Sequence, residues 1–548
     1  MMKIALAQIN FRIGDFPENS RKIIEHIGKA KAAGAELIVF SELAVTGYYP
    51  HDLLEKKEFI MRAEQAVREI AAACQGIAAL VGGPSLNQSE RGKNLYNSAF
   101  FLADGQIRDV FHKSLLPTYD VFDEYRHFEP NRDFRLLEFN GRKLAVTLCE
   151  DVWDELPSFS EFSRNKLYQT SPLAELAKLG PEIVINLSAS PFSYNQENWR
   201  KNVLVQKACT YGLPVVYVNQ VGAHAEMIFD GGSVVIDPSG RIIHELKYFE
   251  EDFRVVDLDN QSPPQLQKPS EAIAKIHDAL VLGIRDYFRK TGFSKAVLGL
   301  SGGIDSALVA VLAVRALGAE NVRGLLMPSQ YSSLHSVDDA RQLAENLGIR
   351  YDLLQIQEAV DRINHTLSPL FAGLPADITE ENIQARTRGI LVMAVSNKFN
   401  HILLNTTNKS EAAVGYGTLY GDMNGGLSVL GDVYKTDVYH LSRLINRNRE
   451  IIPENSILKP PSAELRPDQK DTDSLPEYDV LDPILFRFIE QNQSPAEIAQ
   501  AGFDLPLVEK IVRMVNLNEY KRFQAAPVLR ISSKAFGFGR KMPLVAKY

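Results

Sequence analysis

The stretch from residue 295 to residue 328 constrains the fold of this chain more than any other. An apolar run, KAVLGL, is followed by a glycine turn, the helical segment DSALVAVLAVRAL and a second apolar run, VRGLLMP. This order predicts two parallel strands joined by a crossover helix. Such units build doubly wound α/β sheets, which bind ligands at the carboxyl ends of their strands. The second half of the chain is therefore predicted to be a doubly wound parallel α/β domain.

The first half also alternates short apolar runs with helical segments, which is an α/β pattern. Its apolar runs include KIALAQI, AELIVF, KLAVTL and EIVINLS, and the alternation ends near RVVDLD. The next segment, QSPPQLQKPSE, is polar and rich in proline, which indicates a linker. We predict a first domain over 1–259, a linker over 260–270 and a second domain over 271–548. Helices are predicted at 20–33, 54–74, 271–290 and 381–399, and long irregular loops at 408–435 and 453–476.

Composition excludes several classes of protein. A length of 548 residues allows two or three domains, and 45% apolar with 23% charged residues is typical of a globular chain. The formal charge of −8 is opposite in sign to the basic surface that binds nucleic acid. Nucleic acid is therefore not expected as a partner.

The sequence predicts a cytoplasmic protein that has no contact with membranes. No apolar run reaches 18 residues, and the first twenty residues lack the apolar core of a secretory signal. The three cysteines, Cys74, Cys149 and Cys209, are too few for a disulfide framework, which fits a reducing compartment.

Three chemically useful side chains follow strand-like runs in the first half: Glu42 after LIVF, Lys113 after IRDVF, and Cys149 at the end of KLAVTL. A thiol becomes a nucleophile when a base removes its proton and a cation stabilises the negative charge. Glu42 has the chemistry of the base and Lys113 that of the cation. The alternative is structural: a cysteine that ends a buried strand is commonly an apolar packing residue, and a Glu or Lys there is commonly a surface charge.

The blocks FSELAVTGYYP, HKSLLPTYDVFDEYRHF and LAVTLCEDVW resemble the catalytic blocks of the nitrilase superfamily. In detail they resemble the glutamine amidase domain of two-domain NAD synthetases. The resemblance implies a nitrilase-like α/β/β/α sandwich with Cys149 as nucleophile, Glu42 as general base and Lys113 as oxyanion stabiliser. It also implies Glu124 as a fourth catalytic residue that orients Lys113 or the thiol.

The same resemblance implies that Tyr119 and Ser190 contact the glutamine substrate. The sequence departs from the family after SPF, where a Gly and then Lys or Arg are usual. This chain has SPFSYNQ instead, which places Gln196 at the expected glutamine contact. Arg200 or Tyr194 is the alternative contact for the substrate carboxylate.

The run GLSGGIDS joins a strand to a helix, so its backbone N–H groups and the helix N-terminus favour a phosphate. It is not a Walker A motif, because no Lys follows the glycines. It resembles the pyrophosphatase loop of enzymes that adenylate a carboxylate or carbonyl. That resemblance implies Asp305 as a Mg²⁺ ligand and ATP contacts from the whole loop: Gly299, Leu300, Ser301, Gly302, Gly303, Ile304, Asp305 and Ser306.

Further blocks resemble NAD synthetases: ENIQARTRG, NTTNKSEAAVGYGTLYGDMNGG, GDVYKTDVY, PPSAELRPDQKDTDSLPEYDVLD and EYKRFQAAPVLRISSKAFGFGRKMP. The resemblance implies that Thr406 contacts ATP and that Asn382, Glu411 and Lys534 contact deamido-NAD. Glu411 would be a second Mg²⁺ ligand, and the C-terminal segment would form a lid that supplies Lys534. Lys409 and Lys435 are expected to pair with phosphates.

The implied reaction uses L-glutamine, ATP and deamido-NAD. Glutamine is hydrolysed to ammonia, and the ammonia amidates adenylated deamido-NAD to give NAD, AMP and pyrophosphate. The family also implies a homo-oligomer, up to an octamer, with a sheltered ammonia passage between domains. Three alternatives stay open: another adenylating enzyme with the same loop, such as GMP or asparagine synthetase; a non-catalytic sensor; and a synthetase that uses free ammonia.

Overall fold

The computed structural model of the chain describes residues 2–154, 167–194, 197–259 and 263–546. The chain forms two compact units, Met1–Pro269 and Ser270–Tyr548.

The first unit combines two mixed sheets with helices. Its elements in chain order are β1 (Lys3–Gln8), α1 (Phe16–Ala32), β2 (Leu37–Val39), α2 (Lys57–Ala73), β3 (Ala78–Leu86), β4 (Leu95–Ala103), β5 (Gln106–His112), β6 (Leu137–Phe139), β7 (Arg142–Leu148), α3 (Pro172–Ala177), β8 (Ile183–Ser188), α4 (Glu197–Tyr211), β9 (Val215–Asn219), β10 (Val221–His224), β11 (Met227–Asp230), β12 (Val234–Ile236), β13 (Ile242–Glu245) and β14 (Asp252–Asp257).

The two six-stranded sheets of this unit have the orders β14-β1-β2-β3-β4-β5 and β13-β12-β9-β8-β7-β6. Strands β1, β2 and β3 run parallel to one another, as do β7, β8 and β9, while the outer strands pair antiparallel. β10 and β11 form a separate hairpin.

Alternate residues of β1 enter different apolar cores, because successive side chains of a strand point to opposite faces. Ile4 and Leu6 pack in a core that also holds residues of β7, β8 and β9 and so lies between the sheets. Ala5 and Ala7 pack in a core with residues of α1 and α2. Since both faces of the sheet are covered at its centre, the central strand β2, LIV, is apolar and buried throughout. The layers are those of an α/β/β/α sandwich, which confirms the predicted fold of this half.

The second unit is a parallel α/β fold with additional helices. Its elements are α5 (Ala272–Thr291), β15 (Ala296–Gly299), α6 (Ile304–Leu317), β16 (Val322–Leu326), α7 (Leu334–Leu347), β17 (Arg350–Leu353), α8 (Gln357–Leu367), α9 (Ile378–Phe399), β18 (Ile402–Asn405), α10 (Lys409–Val414), β19 (Leu427–Ser428), α11 (Lys435–Asn446), α12 (Glu454–Leu458), α13 (Tyr478–Ile489), α14 (Pro495–Gln500), α15 (Leu505–Leu517) and α16 (Glu519–Arg522).

The sheet of this unit has the order β17-β16-β15-β18-β19, and every pairing is parallel. The strand order reverses direction at β15, which is the position where doubly wound sheets bind ligands. The glycine turn follows β15 directly and leads into α6. The predicted doubly wound domain is confirmed, with its glycine turn at the switch point.

The predicted irregular loops at 408–435 and 453–476 are wrong in part, because each contains a short helix, α10 and α12. For α10 the cause is a capping box: Asn408 accepts a hydrogen bond from the backbone N–H of Glu411, and the Glu411 carboxylate accepts one from the N–H of Asn408. Gly415 ends the helix in the left-handed conformation. Glu411 therefore lies in a helical turn rather than in a glycine-rich loop.

Within the part of the chain that the structure describes, no helix has both the length and the apolar character needed to cross a bilayer.

Candidate active sites

Strand ends bring the predicted catalytic residues of the first unit together. Glu42 follows β2, Lys113 follows β5 and Cys149 follows β7. The backbone of Gly82, in β3, packs directly against the segment that carries Glu42. A Cβ atom at Gly82 would lie 2.4 Å from the backbone N of Leu43, so only glycine allows this approach.

Lys113 is the centre of a buried ion network. Its Nζ donates to Oε1 of Glu42 at 2.7 Å and to Oε1 of Glu124 at 2.8 Å, and all three side chains are at most 1% exposed. Asn97 donates to both carboxylates, at 2.7 and 3.2 Å, and the Tyr48 hydroxyl donates to Glu124 at 2.7 Å. Burial without these partners would cost several kcal/mol per charge, so the network holds the three side chains in place.

Cys149 adopts φ of +37°, which is uncommon for a residue with a Cβ and turns the chain sharply at the end of β7. Burial and the charge of Glu42 raise the pKa of its thiol well above the ordinary value, and Glu150 acts in the same direction. Lys113 and a hydrogen bond with Ser188 oppose that rise in the pKa. The resting residue is a thiol, so it needs a base to become a nucleophile.

Two further carboxyl groups follow Cys149 in the chain. Glu150 accepts hydrogen bonds from the hydroxyls of Tyr119 at 2.8 Å and Tyr168 at 2.7 Å, and burial raises its pKa to about 7. Asp151 accepts three backbone N–H bonds of 2.9 to 3.1 Å, and burial raises its pKa to about 6. Asp151 fixes the turn, whereas Glu150 faces the tyrosine that was predicted to contact glutamine.

The raised pKa of Glu150 predicts a pH-dependent stability. Because the folded pKa, about 7, exceeds the ordinary value of 4.5, the proton stabilises the fold at low pH, and this contribution is lost as the pH rises through 7. Glu150→Gln has no proton to lose, so its stability does not fall in this way. We expect the free energy of unfolding of the variant, relative to that of wild type, to rise by about 2 to 3 kcal/mol as the pH goes from 5 to 8.

Tryptophan fluorescence during urea unfolding measures this difference, because both tryptophans, Trp153 and Trp199, lie in the first unit. Glu138→Gln, at an exposed position of β6, is the matched control for the loss of one surface carboxylate. A pH profile of Glu150→Gln parallel to that of wild type would contradict the assignment of the shift to Glu150.

Two of the three predicted glutamine contacts, Tyr119 and Ser190, lie among the described residues. Tyr119 is tied to Glu150, and Ser190 follows β8, where its N–H donates to Asn219 at 2.8 Å. Gln196 lies outside the described residues. Arg200 forms a buried two-point ion pair with Asp230, at 2.9 and 2.6 Å, so its guanidinium is already engaged within the fold.

Sequence reasoning missed Tyr48 and Asn97, which complete the ion network. Asn97 had a signal that could have been used, since it and Ser98 are polar residues in the mainly apolar strand LYNSAFFLA. The Asn97 side chain is 0% exposed in the structure. Because buried amides almost always have a hydrogen-bond partner, a polar residue in such a strand indicates a charged or polar group nearby.

The glycine turn of the second unit packs closely against the backbone of Ser336. Gly302 has φ of +77°, and a Cβ there would lie 2.1 Å from the carbonyl oxygen of Ser336. Gly303 is the N-cap of α6 and offers no side-chain cap, so the first N–H groups of α6 remain open to an anion. Ser456 donates to the carbonyl of Gly302 at 2.9 Å and fixes the turn from outside.

A cavity of about 320 Å³ opens at this turn. Predicted ATP-binding and metal-binding residues among its lining are Gly299, Leu300, Ser301, Gly303, Ile304, Asp305, Ser306, Thr406 and Glu411. Its volume is at the lower end of the range of small-molecule pockets, about 300 to 1,000 Å³. The structure thus gathers nearly the whole predicted ATP set around one cavity.

Lys435 joins the two predicted metal ligands at the cavity. Its Nζ lies 2.5 Å from Oδ2 of Asp305 and 3.4 Å from Oε1 of Glu411, and Asn408 donates to the other oxygen of Asp305 at 2.9 Å. Burial and the charge of Asp305 raise the pKa of Glu411 to about 8. Asp471 also lines the cavity and acts on Glu411 in the same direction. Three carboxylates face one lysine here, and the excess negative charge fits a cation.

Asn382 and Lys534 lie outside the set of described residues that line this cavity. Asn382 accepts a hydrogen bond from Thr418 at 2.7 Å, and the carbonyl of Lys534 accepts one from Lys409 at 3.0 Å. The expectation that Lys409 pairs with a phosphate is wrong. Its Nζ is fully buried against Asp432 and Glu490, both at 2.8 Å, so its charge is neutralised within the fold.

Two family models divide the chain. The carbon-nitrogen hydrolase model matches residues 3–264, and the NAD synthase model matches residues 276–525. The first therefore covers the Glu42, Lys113 and Cys149 site, and the second covers the cavity at the glycine turn.

Relatives match along the whole length. A glutamine-dependent NAD(+) synthetase of Synechocystis is 47% identical, covering 100% of this chain and 99% of that protein, and one of Thermotoga maritima is 41% identical with the same coverage. The structure of the Acinetobacter baumannii glutamine-dependent NAD+ synthetase in complex with ADP superposes with a TM-score of 0.78 at 40% identity, covering 99% of this chain and 98% of that one. A Cytophaga hutchinsonii structure, at 22% identity and a TM-score of 0.83, supports the fold.

Proposed function

Since this chain belongs to the family of glutamine-dependent NAD(+) synthetases, we propose that its first unit releases ammonia from L-glutamine and its second uses that ammonia, with ATP, to amidate deamido-NAD. The chain is an enzyme, a carbon-nitrogen ligase with glutamine as nitrogen donor. We assign the first activity to residues 1–259 and the second to residues 271–548, joined by 260–270. The single observation that carries the proposal is the buried Lys113 network beside Cys149.

In the first unit we assign Glu42 as the general base. It takes the proton of the Cys149 thiol, and the sulfur attacks the side-chain amide carbon of glutamine. Lys113 stabilises the negative oxygen, and the proton held by Glu42 passes to the departing ammonia. Water, deprotonated by Glu42, then cleaves the glutamyl thioester and regenerates the thiol. Glu124 acts as a positioning residue, because it holds the Lys113 ammonium at 2.8 Å.

We assign the glutamine contacts to Tyr119 and Ser190, with Gln196 as the third. Support for Tyr119 comes from its bond to Glu150, which follows Cys149 directly and orients the phenol.

In the second unit we assign ATP binding to the glycine turn, from Gly299 to Ser306, and to Thr406. The N–H groups at the start of α6 bind phosphate oxygens, and ATP occupies the cavity at the turn. The nicotinate carboxylate attacks the α-phosphorus of ATP and pyrophosphate leaves. Ammonia then attacks the activated carboxyl carbon and AMP leaves. Asn382, Glu411 and Lys534 are assigned to deamido-NAD by the family pattern.

Magnesium fits the residues present, because Asp305 and Glu411 offer hard carboxylate oxygens in a cluster with excess negative charge. These two residues would hold Mg²⁺, which neutralises charge on the phosphates when bound. Lys435, which contacts both carboxylates, keeps them in place.

A substrate panel tests the acceptor. We expect ATP-dependent pyrophosphate release with deamido-NAD, and none with aspartate or the carbonyl precursor of GMP. Release with either of the latter and none with deamido-NAD would overturn the assignment and favour the other adenylating enzymes that share the glycine turn.

We also propose a sheltered transfer of ammonia between the two sites, a homo-oligomer as large as an octamer, and a cytoplasmic location. Ammonia is a nucleophile only when unprotonated, which favours shelter from water. Incorporation of nitrogen from labelled glutamine in excess unlabelled ammonium tests the transfer, and sedimentation equilibrium tests the assembly. The three free cysteines are compatible with a reducing compartment, and fractionation of the source cells tests the location.

A further inference from the structure

A second group of metal-ligating side chains lies in the first unit, outside the Cys149 site. Asp52 and Glu55 are exposed on a short 3₁₀ helix, His51–Glu55, and His127 follows another, Glu124–Arg126. One ligand atom from each of the three side chains lies within 4.8 Å of the others. Nε2 of His127 is 3.4 Å from Oδ1 of Asp52 and 3.6 Å from Oε1 of Glu55.

The His127 ring is held with Nε2 aimed at these carboxylates. Its Nδ1 lies 2.7 Å from the hydroxyl of Tyr49, and that hydroxyl donates to the carbonyl of Asp123 at 3.3 Å. Either ring tautomer fits this contact, and the one with its proton on Nδ1 donates to the Tyr49 oxygen and leaves a lone pair on Nε2 for a cation. His127 is only 8% exposed, and among the described residues Nε2 has no hydrogen-bond partner.

We propose that Asp52, Glu55 and His127 bind one divalent cation of the zinc class. Zinc takes tetrahedral sites with Zn–N and Zn–O distances of about 2.0 to 2.2 Å, which places neighbouring ligand atoms about 3.3 to 3.6 Å apart. The distances from Nε2 to the two carboxylates, 3.4 and 3.6 Å, match that spacing. A ligating histidine whose other ring nitrogen donates to a fixed acceptor is the usual outer arrangement of a metal site.

Arg126 is the competing cation at this group. Its guanidinium nitrogen lies 3.0 Å from Asp52 and 3.6 Å from Glu55, and its side chain is 52% exposed. Exposed ion pairs of this kind contribute little to stability, and a long exposed arginine side chain moves easily into solvent. The cation replaces Arg126 and adds a bond to Nε2 of His127, which has no hydrogen-bond partner among the described residues.

Cation binding joins the segment that carries Tyr48 to the segment that carries Glu124. Tyr48 precedes the first 3₁₀ helix and donates to Glu124, which begins the second. The bound cation therefore restrains the turn that holds Glu124 against Lys113. We expect zinc to raise the melting temperature of the first unit.

Calorimetric titration of the full-length chain with Zn²⁺ tests the proposal. The titration uses a Cys149→Ala background, so that the active-site thiol does not compete, and excess Mg²⁺ to occupy the carboxylates of the second unit. We expect one strong Zn²⁺ site, weakened at least about tenfold by His127→Gln and by the double change Asp52→Asn, Glu55→Gln. Asp52 and Glu55 are exposed, so we expect the double variant to fold normally. It therefore tests the site even if His127→Gln does not fold.

Tyr49→Phe separates coordination from mere charge, because it removes the acceptor of Nδ1–H without changing any carboxylate. We expect about tenfold weaker binding in this variant. The exposed Glu58 lies three residues after Glu55, and Glu58→Gln is the matched control that leaves Zn²⁺ affinity unchanged. Unchanged affinity in the double variant, or an anomalous zinc peak away from Nε2 in a soaked crystal, would overturn the proposal.

Discussion

Replacing Cys149 with alanine is expected to abolish NAD formation from glutamine and to preserve NAD formation from ammonium. The thiol is the only group assigned to form the bond to the glutamyl carbon, so its loss removes the covalent route. Loss of a catalytic nucleophile typically costs about 10⁴-fold or more in turnover. Ammonium enters at the second site directly and does not need the sulfur. Parallel assays of NAD with each nitrogen source measure both effects on one preparation.

Cys209→Ala is the matched control, because Cys209 is an exposed cysteine in α4 of the same unit. It should leave both nitrogen sources active. Loss of both activities in Cys149→Ala with folding intact would contradict two separable sites. Retention of the glutamine-dependent activity would remove Cys149 from the mechanism.

Sequence reasoning placed Glu42, Lys113 and Cys149 at strand ends, and the structure shows that β2 and β5 belong to one sheet and β7 to the other. The pattern alone could not show which of these charges are buried, since burial depends on residues distant in sequence. Asn97 and Tyr48 supply the bonds that make the buried network stable. Asn97 lies in none of the three catalytic blocks, and Tyr48 lies in the block of Glu42 but bonds to Glu124, 76 residues away.

The second site was predicted more fully because its main part is one continuous turn. Gly299 to Ser306 are adjacent in the chain, and their geometry follows from the strand, the turn and α6. Lys409 shows the limit of such reasoning. It follows Asn408 in the same block as Glu411, yet its partners Asp432 and Glu490 lie 23 and 81 residues away and turn it into the interior.

The two sites share one electrostatic design, with a buried lysine between two carboxylates. Lys113 lies between Glu42 and Glu124, and Lys435 lies between Asp305 and Glu411. In the first site the Lys113 ammonium contacts both carboxylates, Glu42 and Glu124, which suits a base fixed beside a thiol. In the second site Asp471 adds a further carboxylate at the cavity, which suits the binding of a cation and phosphates.

Asp305→Asn is expected to abolish NAD formation from glutamine and from ammonium alike, while hydrolysis of glutamine continues. Asparagine keeps the size of the side chain and removes its charge, so Lys435 loses its 2.5 Å partner and the proposed magnesium ligand becomes neutral. Loss of one group that stabilises charge in a transition state costs about 10²- to 10³-fold in turnover, and we expect at least that here. Pyrophosphate release and glutamate release are measured separately.

The matched control for Asp305→Asn is Asp338→Asn, since Asp338 is an exposed aspartate of α7 in the same unit. It should leave both reactions at the wild-type rate. Full ammonium-dependent synthesis by Asp305→Asn would exclude Asp305 from the ATP site, because neither nitrogen source bypasses adenylation. A partial loss that higher Mg²⁺ restores would instead support the metal-ligand role, because mass action then compensates for the weaker site. The Cys149 and Asp305 variants thus fail in complementary ways, and mixing the two proteins tests whether ammonia made by one chain can reach the second site of another.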